Sequence, residues 1–223
     1  MRAIDRQQYV DIVYSGDAQA NGLVPWTMGK YALDADELRT TYQPYDVQDA
    51  KALISAIGGL KFNVIYPAET PLEEHNLHLP IFFKQMQDAG IELEQDPQVL
   101  TSWIDNYRKF NYRGSFSLNQ IYETPEIPLD FHSRRGPLND ETYAKGLGDA
   151  EIEAAIAKSK EQTELAARID AVREAQKVIY AKDPMFLPLV SPFNYEVYRP
   201  TVHDIPSGVG TTRFLLNTLW LEA

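Results

Sequence analysis

Between residues 60 and 122 the spacing of apolar residues changes from one segment to the next, and that alternation restricts the fold more than any other feature. "LKFNVIYPA" (60–68) is rich in β-branched and aromatic residues and stops at Pro67. "IELEQ" (91–95) alternates, and "GSFSLNQIY" (114–122) reads as a third strand. "TPLEEHNLHLPIFFKQMQDAGI" is expected to turn helical after Pro80. "PQVLTSWIDNYRKFNY" is a second helix, with Leu100, Trp103, Ile104 and Tyr107 at helical spacing and Trp103 in the core. Strands separated by helices and short connections are βαβ units. Parallel strands need such crossovers, so the expected class is α/β, a parallel or mixed sheet covered by helices.

The flanks are mainly helical. Residues 2–15 read as a helix without a cap at its start, with Ile4, Val10, Val13 and Tyr14 on one face and Gly16 as its stop. "GDAQANGLVPWTMGKYALD" follows, a loop too irregular for regular structure. In "YDVQDAKALISAIGG", Asp46 caps a helix whose stripe is Val47, Ala50, Leu53, Ile54 and Ile57, and Gly58-Gly59 ends it. A long polar connection, "ETPEIPLDFHSRRGPLNDETYAKGLGD", leads to two late helices, "DAEIEAAIAKSKEQ" and "ELAARIDAVREAQKVIYAKD". In the second, Leu165, Ile169, Val172, Ala175, Gln176 and Ile179 form a face, and Pro184 breaks it. "FLPLVSPFNYEVYRPTVHDI" holds two candidate strands, and "RFLLNTLWLEA" is strand-like with no partner in its own neighbourhood.

Composition narrows the function. The chain has 223 residues, 44% of them hydrophobic, enough for one large domain or two small ones. A net charge of −11, from 21 basic and 32 acidic residues, argues against a nucleic-acid surface, which needs a basic stripe. With no cysteine there is no disulfide, thiolate metal site or cysteine nucleophile. No apolar run approaches the ~18 residues of a membrane span. The opening residues carry no secretory leader pattern.

Six segments, in order, resemble the C-terminal half of the solute-binding proteins of peptide-type ABC importers, solute-binding protein family five. "AIDRQQYVDIVYSGDAQANGLVP" resembles the family's Ala-Ile-Asp-Arg helix and the loop after it. "YDVQDAKALISAIGG", "FFKQMQDAGIELE", "DAEIEAAI", "RIDAVREAQKVIYAKDPMFLPL" and "YEVYRPTVHDI" resemble later helices and strands. The resemblance implies a type II periplasmic-binding-protein-like fold. Residues 1–192 would form lobe II, a mixed sheet flanked by helices. Residues 193–223 would be the C-terminal segment returning to lobe I, which the resemblance implies would otherwise be absent from this chain.

The resemblance also implies a binder that closes around its solute and performs no chemistry on it. Its partners would be a peptide-like or other small polar solute and an ABC permease in the membrane, with no nucleic acid and no cofactor. The location would be periplasmic or extracellular, with a lipid anchor an option for the full-length protein. The native state would be a monomer, with swapping or pairing between copies open to an isolated fragment. Where family members grip a free amino group with an acid, this chain has Ile121, which turns the expectation from a simple zwitterionic peptide toward a sugar, a modified peptide or another polar solute. Glu123 offers an acid by another geometry.

Tyr122 leads the candidate contacts, with Asn119 and Gln120 as hydrogen-bonding neighbours. The competing reading of Tyr122 is packing on its own lobe. Trp26 suits stacking on a solute or anchoring its own loop. Arg134 and Arg135 suit an anionic solute or the solvated loop where most such charges sit. A rival from another class is a self-contained α/β hydrolase or metal enzyme using Glu74, His75 and His78 with an acid such as Asp130. Its signature would be histidines sharing a pocket with carboxylates. His132 and His203 stand singly, with no triad around them.

Overall fold

A computed structural model describes residues 1–69, 73–116, 124–134, 136, 147–182, 185–193, 195, 199–203 and 220–221. At its centre is a parallel three-stranded sheet, made of β2 (Leu60–Pro67), β3 (Ile91–Gln98) and β4 (Gly114–Ser115), in the order β3-β2-β4. β2 pairs with β3 from Leu60↔Ile91 to Pro67↔Gln98, and with β4 at Val64↔Gly114 and Ile65↔Ser115. The two-residue period of β2 divides its apolar side chains between two layers. Val64 joins Leu79 and Phe116 on one face, and Ile65 joins Trp103 and Tyr107 on the other.

The crossovers are α4 (Glu73–Asp88), which packs on β3, and α5 (Leu100–Arg108), which packs on β2. α4 starts well before the expected point, and Pro80 lies inside it. The exposed Pro80 removes one backbone hydrogen bond, while the turns around it carry Leu79 and Ile81 into the core, and tertiary packing wins. Gly90, at φ +81°, supplies the left-handed residue that turns α4 into β3. In α5, Trp103 and Tyr107 are buried as expected, whereas Leu100 and Ile104 stay exposed.

α1 (Arg6–Tyr14) is shorter than expected and does have a cap: the Asp5 carboxylate accepts hydrogen bonds from the Gln7 and Gln8 amides. The loop after it is not wholly irregular. Its residues Ala18–Ala20 form β1, paired antiparallel with β5 (Val190–Pro192), and a 3-10 helix covers Trp26–Tyr31. A short turn, α2 (Ala35–Glu37), leads on toward α3 (Val47–Ala56), which is capped by Asp46 as expected. The expected stripe of α3 is covered only in part: Ala50 is buried and Val47 and Ile54 are half-buried, but Leu53 and Ile57 are exposed.

The late helices α7 (Ala150–Glu161) and α8 (Leu165–Lys182) pack on each other and on the 20s loop. Their core joins Ile152, Ile156, Val172, Ala175 and Ile179 to Leu23, Val24 and Leu129. Leu165, placed by spacing on the same face, is exposed at the helix start. Gln176 is fully buried; it accepts from the Val24 amide (3.2 Å) and donates to the Tyr31 carbonyl (2.9 Å), which fastens the loop to α8. Near the end, β6 (Val202–His203) pairs antiparallel with β7 (Trp220–Leu221), so those two residues of the apolar tail have a partner within the chain. Antiparallel pairing occurs in separate ladders; the central sheet itself is parallel.

Candidate functional site, an aromatic cavity beside the parallel sheet

A cavity of about 610 Å³ opens where β2, α4, β4 and the loop before β5 meet a short helix, α6 (Ile127–Asp130). That volume falls in the range of small-molecule sites. Its walls are aromatic because the apolar faces of these elements all turn toward it. β2 supplies Phe62 and Val64, α4 supplies His78 and Phe82, and the chain around β4 supplies Phe110, Tyr112 and Phe116. Gly114 allows the close approach of Phe62: a Cβ there would come within 2.8 Å of the Phe62 ring.

The rings form two groups. His78 meets Tyr9 and Tyr14 edge-on, with centroids 5.4 and 5.5 Å away, and Phe82 lies 5.2 Å from Phe116. Phe186 lies between Phe131, at 5.2 Å, and His132, whose ring stacks parallel to it at 5.6 Å. Tyr107 and Tyr112 stack at 5.7 Å, and burial pushes the Tyr112 phenol up to about 12, so it stays a neutral donor.

The α6 segment is held from outside the cavity. Glu126, almost fully buried, receives both Nε and Nη2 of Arg168 on α8, at 2.7 and 2.8 Å. Burial pushes its carboxyl up, but Arg168 together with a backbone hydrogen bond and one from Thr124 outweighs that and leaves it below the usual carboxylate range. Asp130 pairs with Lys160 on α7, and Glu153 accepts from the Ser133 hydroxyl (3.0 Å) and the Arg134 amide (2.8 Å). These bonds fix the helix that brings Pro128, Phe131 and His132 to the wall. The opposite wall, residues 185–191, is held by buried Arg6, whose Nε donates to the Pro188 carbonyl at 2.9 Å. Burial lowers the Arg6 guanidinium to about 10, and it remains charged at neutral pH.

The expected contacts distribute as follows. Trp26 packs on Phe193, with centroids 5.0 Å apart, and is not among the cavity-lining residues. Arg134 turns toward the start of α7, donating to the Leu147 carbonyl at 3.1 Å. Asn119, Gln120, Ile121, Tyr122, Glu123 and Arg135 lie outside the described residues. Of the Glu74, His75 and His78 cluster, only the His78 side chain is described; it lines the cavity with no carboxylate beside it among the described lining residues. Asp130 faces Lys160, away from it. No group of three His, Cys, Asp or Glu placed to hold a metal occurs among the described residues.

Sequence reading missed His132, Asn21 and Arg113 as wall residues. A single His in a polar connection and an Asn in an irregular loop give no periodic signal. Only the phase of "KFNYRGSF", between α5 and β4, hinted that its aromatics share a face.

No family model and no curated protein matches the chain by sequence. Solved structures match it by fold. The unliganded open form of MppA, a periplasmic murein tripeptide binding protein, superposes with a TM-score of 0.76 at 16% identity, over 99% of this chain and 43% of its own. Haemophilus influenzae OppA, in complex with RPPGFSPFR, gives 0.71 at 18% identity, over 98% and 43%. A peptide-binding protein of a peptide ABC transporter gives 0.65 at 20% identity, over 85% and 86%. The fold is thus that of the peptide-type solute-binding proteins of ABC importers, as the resemblance implied. The chain spans less than half the length of MppA and OppA.

Proposed function

We propose that the chain is the solute-holding lobe of an ABC-importer binding protein, and that the aromatic cavity is where a peptide-like or other small polar solute sits. Residues 1–192 act as lobe II, and residues 193–223 as the segment that runs back to lobe I. The observation that carries this reading is the cavity itself. It gathers side chains from distant parts of the chain into one wall, in a fold whose solved examples are binding proteins. Nothing in that wall requires chemistry on the solute: it offers stacking faces and a few hydrogen-bonding groups, so the role is capture and release. A permease in the membrane is the receiving partner, and the setting is periplasmic or extracellular. Tyr122, Asn119, Gln120 and Arg135 belong to this proposal as contacts on the chain beyond β4, with Trp26 and Arg134 as supports of the surrounding loops.

Thermal-shift screening of the purified chain, and of the full-length protein, against peptides, oligosaccharides and metal complexes tests the reading. A true solute at about 100 times its dissociation constant adds about 2.7 kcal/mol and raises Tm by several degrees. A substitution that fills the cavity, Gly114→Phe, must abolish the rise. A shift that survives this substitution would place the solute elsewhere.

A further inference from the structure

We infer that the cavity selects solutes that carry a carboxylate on an apolar or aromatic body and have no free ammonium, of which N-acylated amino acids are the simplest. The inference rests on the reading of the cavity as a solute site and concerns what that site takes.

First, charge on the wall is one-sided. In a chain with 32 acidic residues, the described lining residues include no Asp or Glu, and their one formal charge is Arg113. An ammonium brought against these described residues would lose its water and meet no anion among them, which disfavours it. A carboxylate would meet a guanidinium, which is geometrically suited to bind it with two parallel bonds. Arg113 is exposed, so it stands at the edge of an apolar cavity, where a single cation concentrates anions.

Second, two wall residues, His132 and Asn21, have buried polar atoms with no partner among the described residues. His132 is 3% exposed, and neither ring nitrogen has a hydrogen bond. Asn21 is 7% exposed; its Nδ2 donates to the Ser191 hydroxyl, and its Oδ1 has no donor. Native interiors pair such atoms, and each group left unpaired costs stability. Asn21 Oδ1 is an acceptor and requires an N–H or O–H. A neutral imidazole offers one donor and one acceptor. An acylated amino acid supplies the complement: an amide N–H and C=O beside a carboxylate, with a side chain to lie among Phe186, Phe131 and Tyr112.

Isothermal titration of the full chain with three probes of one shape tests the inference: N-acetyl-L-phenylalanine (anion), N-acetyl-L-phenylalaninamide (neutral) and L-phenylalaninamide (cation). The expected order is anion tightest, the neutral probe about tenfold weaker, and the cation weaker still. Arg113→Gln, at an exposed position that packing does not constrain, should erase the tenfold gap between anion and neutral probe while leaving the neutral probe unchanged. His132→Phe should weaken both acetylated probes. The Arg113 comparison stands even where the His132 variant folds poorly. A cation binding as well as the anion, or an anion preference unchanged in Arg113→Gln, overturns the inference and leaves the solute-site reading intact. Failure of all three probes, with no solute of any class shifting Tm in the broader screen, overturns both.

Discussion

Two regions of equal burial treat their polar groups in opposite ways. Along α7 and α8, Gln176 is completely buried and bonds to both Val24 and Tyr31, Gln43 donates to Tyr180 and to the Asn21 carbonyl, and Ser159 donates to the Ile156 carbonyl. Across the cavity wall, His132 and the Asn21 Oδ1 are as deeply shielded and have no such bonds. The first pattern is what folding selects, since each unpaired group costs stability. In the cavity wall such atoms belong to residues that line a space a solute can fill, whereas Trp26 Nε1 and Arg173 Nε, also buried without a described partner, do not line it.

The comparison breaks most directly at Gln176. Gln176→Leu leaves the Val24 amide and the Tyr31 carbonyl without partners and should cost about 4 kcal/mol, read as a lower urea midpoint. A loss below about 1 kcal/mol would mean that water or a shift of the loop replaces both bonds, and the scaffold side of the contrast would fail.

Glu126→Gln comes next. It removes the charge that receives Arg168, and should cost about 3 kcal/mol, less than a wholly buried pair because Arg168 reaches solvent. Solute affinity should fall in parallel, since α6 carries Phe131 and His132; unchanged affinity would show that the wall does not depend on this ion pair.

His132 gives the pH test. Burial holds its folded-state pKa at about 4, below its ordinary 6.5. Between these values the unfolded chain binds the proton and the folded chain does not. The neutral ring's contribution is therefore complete above pH 6.5 and is lost as pH falls toward 4. From pH 7 to pH 5 the wild type should lose about 2 kcal/mol relative to His132→Phe, measured by urea unfolding at both pH values. Parallel pH curves for the two proteins would show that the ring has a partner or reaches water in the folded state.

The smallest effect is expected on α3. Leu53→Ser should change stability by less than about 0.5 kcal/mol, because the side chain is 54% exposed. A cost of several kcal/mol would return Leu53 to the core that its spacing suggested.

Much of the central layer was legible from local pattern. The β-rich run at 60–67, the cap at Asp46, the Gly90 turn and the two late helices all obey signals contained within a few residues. The errors share one cause. Helical spacing puts Leu53, Ile57, Leu100, Ile104 and Leu165 on apolar faces, yet they are exposed, because spacing reports which residues share a face and not whether another element covers it. Pro80 was read as the start of α4 because local cost was visible and the compensating contacts of Leu79 and Ile81 were not. The candidate site was the least legible part. Trp26 was chosen for its residue type and lies against Phe193, whereas Asn21, Arg113 and His132 reach the wall through packing that no spacing encodes.

Local chemistry determined the α/β class and the order of its elements, because backbone periodicity, caps and glycine turns act over a few residues, and left the sheet parallel or mixed until strand pairing decided it. Tertiary contact alone decided the cavity, the charge of its wall and the polar atoms left open there. Those properties belong to residues far apart in the chain, such as Asn21 and Ser191 at a separation of 170, and only folding brings them within reach of one another.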